Sequence, residues 1–297
     1  MRVAEPPTSP PRPRRRPRIL AIQVLPALVT LGNVLAGLLA ISYVVDAWGH
    51  PAGSHAREAL WTKAAWVIFI GMFCDALDGK VARLTGTASS FGAELDSLAD
   101  VVTFGIAPAL LAKSLVLDHL SWLNPRLAQA LAAVYVLGAA LRLARYNVES
   151  QRIVAPGHVT RVFRGLPSPG AAGVVASLVL LRNEYEITAI EHVLLFGLPA
   201  LGILMVSRFA FAHLMNRTLA GARSPIALVL LLVLVALIVE FPEASLAALF
   251  VGYALSGPVT TLTRATIGRP RWAVEEDEDE EDEPPSLGGP DDGAPLP

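Results

Sequence analysis

Residues 75–100 read Asp-Ala-Leu-Asp-Gly-Lys-Val-Ala-Arg-Leu-Thr-Gly-Thr-Ala-Ser-Ser-Phe-Gly-Ala-Glu-Leu-Asp-Ser-Leu-Ala-Asp, and they join two apolar segments, Trp61–Leu84 and Gly92–Leu117. Crossing a bilayer takes about 20 mostly apolar helical residues, and both segments reach that length. A charge inside such a segment is energetically expensive and therefore indicates function. These two segments contain four aspartates: Asp75, Asp78, Asp96 and Asp100.

The rest of the chain is similarly apolar. Its 297 residues are 53% apolar and 17% charged, with a mean hydropathy of +0.51, which excludes a disordered chain, a collagen-like fibre and a disulfide scaffold and disfavours a soluble globule. We predict an all-α polytopic membrane bundle of about eight transmembrane helices. The eight apolar segments are Pro26–Val45, Trp61–Leu84, Gly92–Leu117, Ala128–Tyr146, Pro169–Leu181, Glu191–Val206, Pro225–Glu240 and Ala244–Thr261. The fifth and sixth of these are short, so six or seven spans also fit.

Charge predicts the orientation of these spans. With a cytoplasmic N-terminus and eight spans, 19 basic residues fall on the inner side and four on the outer side. Because positively charged loops stay in the cytoplasm, both termini and the aspartates are predicted to be cytoplasmic. The formal net charge of −2 conceals a body of about +9 over residues 1–274 and a tail of about −11.

The same pattern predicts three parts of the chain. Residues 1–24 form a basic arm rich in Pro and Arg, residues 25–264 a membrane-embedded catalytic domain, and residues 265–297 an acidic disordered tail. The single cysteine, Cys74, cannot form a disulfide within the chain. The sequence contains no zinc-ligand spacing, phosphate-binding loop or nucleophile elbow, and no nucleic-acid partner is expected.

Helical geometry brings the aspartates onto two facing stripes. At about 100° per residue, Asp75, Asp78 and the residues Gly79, Ala82 and Arg83 share one face, and Gly92, Asp96 and Asp100 share another. A short connection makes the two helices antiparallel, so the four carboxylates would repel each other unless cations neutralise them. Oxygen ligands suit hard divalent cations, and paired cations are usual in phosphoryl displacement. For a single aspartate a structural or proton-binding role is the alternative; four on converging faces favour a site.

The pattern Asp75-x2-Asp78-Gly79-x2-Ala82-Arg83-x8-Gly92-x3-Asp96-x3-Asp100 resembles the complete signature of the CDP-alcohol phosphatidyltransferase family. The resemblance implies a polytopic enzyme with a six-helix core that displaces CMP from a CDP-linked lipid, using Mg²⁺ or Mn²⁺. The four aspartates would hold two metal ions, and Asp100 would also be the base. The signature's remaining residues would line the cytidine-diphosphate pocket: Gly79, Ala82, Arg83 and Gly92.

Flanking segments resemble the phosphatidylserine synthases of this family. They are residues 25–33, 97–108, 141–147 and 163–169. The donor would be CDP-diacylglycerol in a membrane, the acceptor L-serine, and the location a bacterial inner membrane; the resemblance also suggests a homodimer. Serine bears a carboxylate, so nearby arginines are candidates for binding it or a substrate phosphate, with charge anchoring of the loop as the alternative. The candidates are Arg142, Arg145, Arg161 and Arg164.

Several alternatives remain open at this point. Glycerol 3-phosphate or inositol phosphate could be the acceptor, and a proton- or ion-coupled transporter or a membrane scaffold represents another class. A transporter would place its carboxylates nearer mid-membrane and show repeat symmetry, which we do not find. Asn33 in the first span is compatible with a polar cavity or a helix–helix hydrogen bond, and Pro108 with a kink or a tolerated proline.

Overall fold

The computed structural model describes residues 20–85, 90–152, 165–207, 209, 232–233 and 236–267. These residues form helices and no strands, which confirms the all-α prediction. A π-helical turn, Val101–Ile106, joins two of the helices end to end. The helices are α1 (Leu20–Ala47), α2 (His55–Thr85), α3 (Ser90–Asp100), α4 (Ala107–His119), α5 (Pro125–Arg152), α6 (Ser168–Tyr185), α7 (Ala189–Val206) and α8 (Pro242–Ile267).

Seven of the eight predicted segments coincide with helices. The remaining segment, 225–240, lies mostly outside the described residues, but 232–233 and 236–240 are helical. The predicted arm, 1–24, and tail, 265–297, also lie mostly outside them. Their bounds need correction, because residues 20–24 belong to α1 and residues 265–267 to α8. Within the described part, six stretches are long and apolar enough to cross a membrane, so the chain is an integral membrane protein. They are Leu28–Ala47, His55–Leu77, Gly92–His119, Pro125–Val148, Ala189–Val206 and Pro242–Leu262.

Helix α6 is the central helix of the bundle, although it is not among those six stretches. Thirteen of its 18 residues are buried, and it is rich in Gly, Ala, Ser and Val. Small residues let neighbouring backbones approach closely, which is how helices associate where lipid removes the hydrophobic driving force. The helix runs four residues beyond the predicted Leu181, to Tyr185, where Arg182 lowers its hydropathy but is itself buried.

An ionic network closes one end of the bundle. The Arg182 guanidinium donates from Nε to Glu191 Oε1 at 3.1 Å and from Nη1 to Glu58 Oε1 at 2.6 Å, and it also contacts the His119 ring. The side chains of Arg182 and Glu191 are 8% and 3% exposed. The network therefore ties together the ends of α2, α4, α6 and α7 that lie away from the aspartates.

Candidate active site

Helices α2 and α3 bring three of the four predicted aspartates together. Carboxylate oxygens of Asp75, Asp96 and Asp100 all lie within 4.8 Å of one another. Asp100 is 8% exposed, whereas Asp75 and Asp96 are half-buried. The predicted stripes of α2 and α3 therefore do face each other at the connected ends of the two helices.

This cluster has the chemistry of a site for a hard divalent cation. Three carboxylates this close are mutually repulsive, and oxygen-only donor sets suit Mg²⁺, Mn²⁺ and Ca²⁺. The cluster also lies near the ends of its two spans, since one ends at Leu77 and the other begins at Gly92. It is thus placed for a ligand whose polar part enters from the membrane surface.

The buried amide of Asn33 extends the site to α1. Asn33 is fully buried and donates from Nδ2 to Asp100 Oδ1 at 3.2 Å. Thr103, one turn after Asp100, donates from Oγ1 to the Asn33 backbone oxygen at 2.8 Å. Asn33 is therefore linked to the segment bearing Asp100 by two hydrogen bonds, which makes it both a helix–helix contact and part of the site.

Two glycines allow α1 and α2 to approach Thr103 closely enough for these bonds. A Cβ atom at Gly37 would lie 2.5 Å from Thr103 Oγ1, and one at Gly71 would lie 2.6 Å from Thr103 Cγ2. The same Cβ atom at Gly71 would also lie 3.2 Å from Asn33 Oδ1. No larger residue fits at either position without moving Thr103, so the two glycines determine where Asn33 meets Asp100.

The helix carrying Asp96 and Asp100 changes its winding directly after the site. Residues Val101–Ile106 form a π-helical turn, and Pro108 follows at the start of α4. Pro108 has no N–H for the carbonyl of Phe104 one turn earlier, and the buried Tyr135 hydroxyl donates to that carbonyl at 2.9 Å. Of the two interpretations left open for Pro108, the structure shows a change of winding, a π turn just before it, and such turns are frequent at functional sites.

Arg142 of α5 supplies a cation beside the carboxylates. Its guanidinium is close enough to interact electrostatically with both Asp100 and Asp75. It also donates from Nη1 to the fully buried Ser168 Oγ at 2.9 Å. Arg142 thus acts electrostatically on Asp100, and its hydrogen bond to Ser168 helps to fix its position.

A tight turn before α6 positions Ser168. Gly165 has a φ of +90°, and a Cβ there would lie 2.4 Å from the Met205 carbonyl oxygen. Backbone N–H groups of Gly165 and Leu166 donate to the carbonyls of Phe209 and Leu204 at 2.9 and 3.2 Å. The positive φ favours glycine, and the turn attaches the start of α6 to the end of α7.

A third polar link joins α3 to α5 near the aspartates. Ser97 Oγ donates to Asn147 Oδ1 at 3.1 Å, and Asn147 Nδ2 donates to Glu94 Oε2 at 3.4 Å. The signature residue Gly92 begins this part of α3 and is half-buried. These bonds hold α3 against the helix that carries Arg142.

The other predicted site residues are only partly described. Gly79 is exposed, and a Cβ there would meet no described atom within 4 Å, so the space beside it is open. Arg145 lies one turn beyond Arg142 in α5. For three residues the helix is described but the side chain is not: Asp78, Ala82 and Arg83. Arg161 and Arg164 lie outside the described residues.

Sequence reasoning left Asn33 and Ser168 out of the predicted site. Asn33 carried a detectable signal, because an amide inside an apolar span needs a partner. Ser168 lies in a Pro-Ser-Pro sequence whose serine is an ordinary helix-start residue. Its contact with Arg142 spans 26 residues, and nothing in its local sequence predicts it.

Comparisons with known proteins show which proteins the chain resembles. A family model described as CDP-alcohol phosphatidyltransferase matches residues 23–201. The chain is 34% identical over 194 residues to the CDP-diacylglycerol–serine O-phosphatidyltransferase of Helicobacter pylori, covering 65% of this chain and 73% of that protein. Proteins of the same name from Bacillus subtilis and Methanocaldococcus jannaschii are 35% and 33% identical over 189 residues, or 64% of this chain and 90% and 74% of theirs. Asp75, Asp96, Asp100, Asn33 and Arg142 all lie within the matched residues.

Proposed function

The chain belongs to the CDP-alcohol phosphatidyltransferase family, and from this premise we propose that it transfers the phosphatidyl group of CDP-diacylglycerol to L-serine, giving phosphatidylserine and CMP. The observation that carries the chemistry is the convergence of Asp75, Asp96 and Asp100, with Arg142 beside them. Support for serine comes from the names of the relatives. Family membership favours an enzyme over the transporter and scaffold alternatives.

In this proposal the four aspartates bind metal ions, and four other signature residues bind the nucleotide. Asp75, Asp78, Asp96 and Asp100 would hold two Mg²⁺ or Mn²⁺ ions, and the residues Gly79, Ala82, Arg83 and Gly92 would line the pocket for cytidine diphosphate. When bound, such cations would supply positive charge against the diphosphate and the departing CMP. The open space beside Gly79 supports this part of the proposal, because a diphosphate can approach the backbone there.

Asp100 is also the proposed base. Its carboxylate takes the proton of the serine hydroxyl while that oxygen forms a bond to the phosphatidyl phosphorus and the bond to the CMP oxygen breaks. The hydrogen bond from Asn33 to Oδ1 supports this role, because it fixes the orientation of the carboxylate. The buried position of Asp100 limits access by water, which would compete with serine for the phosphatidyl group.

Arg142 is the proposed contact for the serine carboxylate or a substrate phosphate. A guanidinium offers a planar fork of donors that matches either group. The position of Arg142 beside the aspartates supports this role, while Arg145, Arg161 and Arg164 remain candidates from the sequence. The acceptor would then lie between a base that takes its proton and a cation that binds its charged end.

We place this site on the cytoplasmic side of a bacterial inner membrane, with both termini in the cytoplasm. The charge distribution of the loops supports that orientation, and serine and CMP are both water-soluble. Residues 25–264 would form the catalytic domain, flanked by the basic arm and the acidic tail. From the family we also expect a homodimer, which cross-linking in native membranes tests.

A panel of acceptors tests the proposed reaction. Purified protein is incubated with CDP-diacylglycerol, Mg²⁺ or Mn²⁺, and serine, glycerol 3-phosphate or inositol phosphate separately, and CMP release is measured. We expect release with serine, loss of release on adding a chelator, and recovery on restoring the cation. CMP release only with a phosphorylated acceptor would correct the assignment of serine as acceptor. If no acceptor caused CMP release, the proposed function would be contradicted.

A further inference from the structure

Helix α8 lies outside the residues that the family model matches, yet it packs beside the candidate site. The matched residues end at 201, and α8 is Pro242–Ile267. It runs antiparallel to α6, because Phe250 meets Gly173 and Tyr253 meets Gly170. One turn along α8 therefore corresponds to one turn back along α6, toward Ser168.

Close packing fixes α8 in this position. A Cβ at Gly173 would lie 2.3 Å from Cδ1 of the Phe250 ring, so the ring occupies the space that a side chain would need. On its other side, the Phe250 ring lies 5.6 Å from the Phe69 ring of α2, measured between centroids. Phe250 is thus held between α6 and α2, which determines where the next turn of α8 points.

Tyr253 occupies that next turn and lies near Arg142. A Cβ at Gly170 would lie 3.1 Å from Tyr253 Cε1, so the half-buried Tyr253 ring covers the first turn of α6. Arg142 and Tyr253 are close enough to interact electrostatically. Arg142 therefore donates a hydrogen bond to Ser168 of α6. It also interacts electrostatically with Asp100, Asp75, Tyr253 of α8 and Tyr146 of its own helix, and Tyr253 is the one of the two tyrosines that belongs to another helix.

We propose that Tyr253 is a positioning residue for the acceptor: it holds Arg142 in the orientation that binds the charged end of the acceptor, and α8 is part of the acceptor site. This inference rests on the proposed function. Its physical basis is that a long arginine side chain loses considerable rotamer freedom on binding, and packing that orders it beforehand lowers this loss.

Kinetics of Tyr253→Phe test the proposal, because the variant keeps the ring over Gly170 and removes only the hydroxyl. Losing an interaction of about 1 kcal/mol with Arg142 should raise the acceptor KM about fivefold. The kcat value and the KM for CDP-diacylglycerol should stay within about twofold, a split that general loss of packing would not produce. Leu255→Ala is the matched control, since Leu255 lies on the same helix and is 56% exposed.

A double-mutant cycle with Arg142→Lys then asks whether Tyr253 acts through Arg142. We expect Tyr253→Phe to raise the acceptor KM in the wild-type background and to have little effect once Arg142 is lysine. An unchanged acceptor KM in Tyr253→Phe, or the same rise in both backgrounds, would overturn the proposal. The variant Tyr253→Ala removes the ring as well as the hydroxyl. The same measurement on it shows the effect on the acceptor KM even where a shifted phenylalanine ring would mask it.

The same experiment separates this inference from the function on which it rests. If the wild-type protein uses an alcohol other than serine, the KM of that alcohol is the quantity to compare, and only the acceptor assignment is corrected. If the wild-type protein releases no CMP with any of the tested alcohols, both the proposed function and this inference are wrong. If it is active and Tyr253→Phe behaves like the control, only this inference is wrong.

Discussion

Asn33 in α1 donates a hydrogen bond to Asp100 in α3 across 67 residues of sequence, with 3.2 Å between Nδ2 and Oδ1. Both residues are buried, and the Asn33 backbone is itself held by Thr103. A carboxylate that binds metal or accepts a proton works best when its orientation is fixed by such a neighbour. We regard this pair as the centre of the site.

Replacing Asn33 with alanine should therefore weaken the site. We expect activity and apparent affinity for Mn²⁺ to fall about 10–100-fold, as is common when a residue that orients a metal ligand is removed. A titration of CMP release against Mn²⁺ measures both effects. Leu35→Ala is the control, because Leu35 lies in α1 and is 63% exposed. An Asn33→Ala protein with a wild-type Mn²⁺ titration would show that Asn33 has only a packing role.

Gly71→Ala should disturb the same pair from α2. The added methyl group would lie 2.6 Å from Thr103 Cγ2, and we expect a loss of about 1–3 kcal/mol in stability with reduced activity. Gly32→Ala is the matched control, since its methyl group would meet Cys74 Sγ at an ordinary 3.8 Å. Thermal unfolding in detergent compares the two. Equal melting temperatures would mean that Thr103 moves aside without penalty.

Arg142→Lys should impair acceptor binding, because lysine keeps the charge but not the fork of donors. We expect the serine KM to rise about tenfold, with a smaller change for Arg145→Lys, since Arg142 lies close enough to interact with both Asp100 and Asp75. Steady-state kinetics with varied serine provide the measurement. A serine KM that is unchanged in both lysine variants would exclude recognition by a guanidinium fork.

Arg182→Met should destabilise the protein without altering its chemistry. Removing the cation leaves Glu58 and Glu191 facing each other at the far end of the bundle, and we expect a loss of about 3–5 kcal/mol. The unfolding temperature should drop, while the serine KM at a permissive temperature should not change. A changed serine KM in a folded Arg182→Met protein would mean that the two ends of the bundle are coupled.

Local sequence was sufficient to predict the facing aspartates. Helical periodicity placed Asp96 and Asp100 on one stripe of α3. Because the connection between α2 and α3 is short, the two helices were expected to be antiparallel, with Asp75 facing that stripe. Apolar length likewise predicted seven helices at their observed places. These features depend on neighbours in sequence, which is why they could be inferred.

Long-range packing could not be predicted in the same way. The contact between Asn33 and Asp100 depends on the rotation of α1, which is set where Gly37 and Gly71 receive Thr103. Helix α6 was expected to be a short span ending at Leu181, although its small residues make it the most buried of the described helices and it continues past the buried Arg182. The position of Tyr253 near Arg142 depends on how Phe250 packs between two other helices.

The most direct test of the account is CMP release by Asp100→Asn with CDP-diacylglycerol, serine and saturating Mn²⁺. Asparagine preserves the shape of the side chain but cannot accept the serine proton and is a weaker metal ligand. We predict that the Asp100→Asn variant releases no CMP. The same purified variant should still partly bind CDP-diacylglycerol in a direct binding measurement. Full activity of Asp100→Asn would contradict the assignment of Asp100 and the proposed reaction at this cluster.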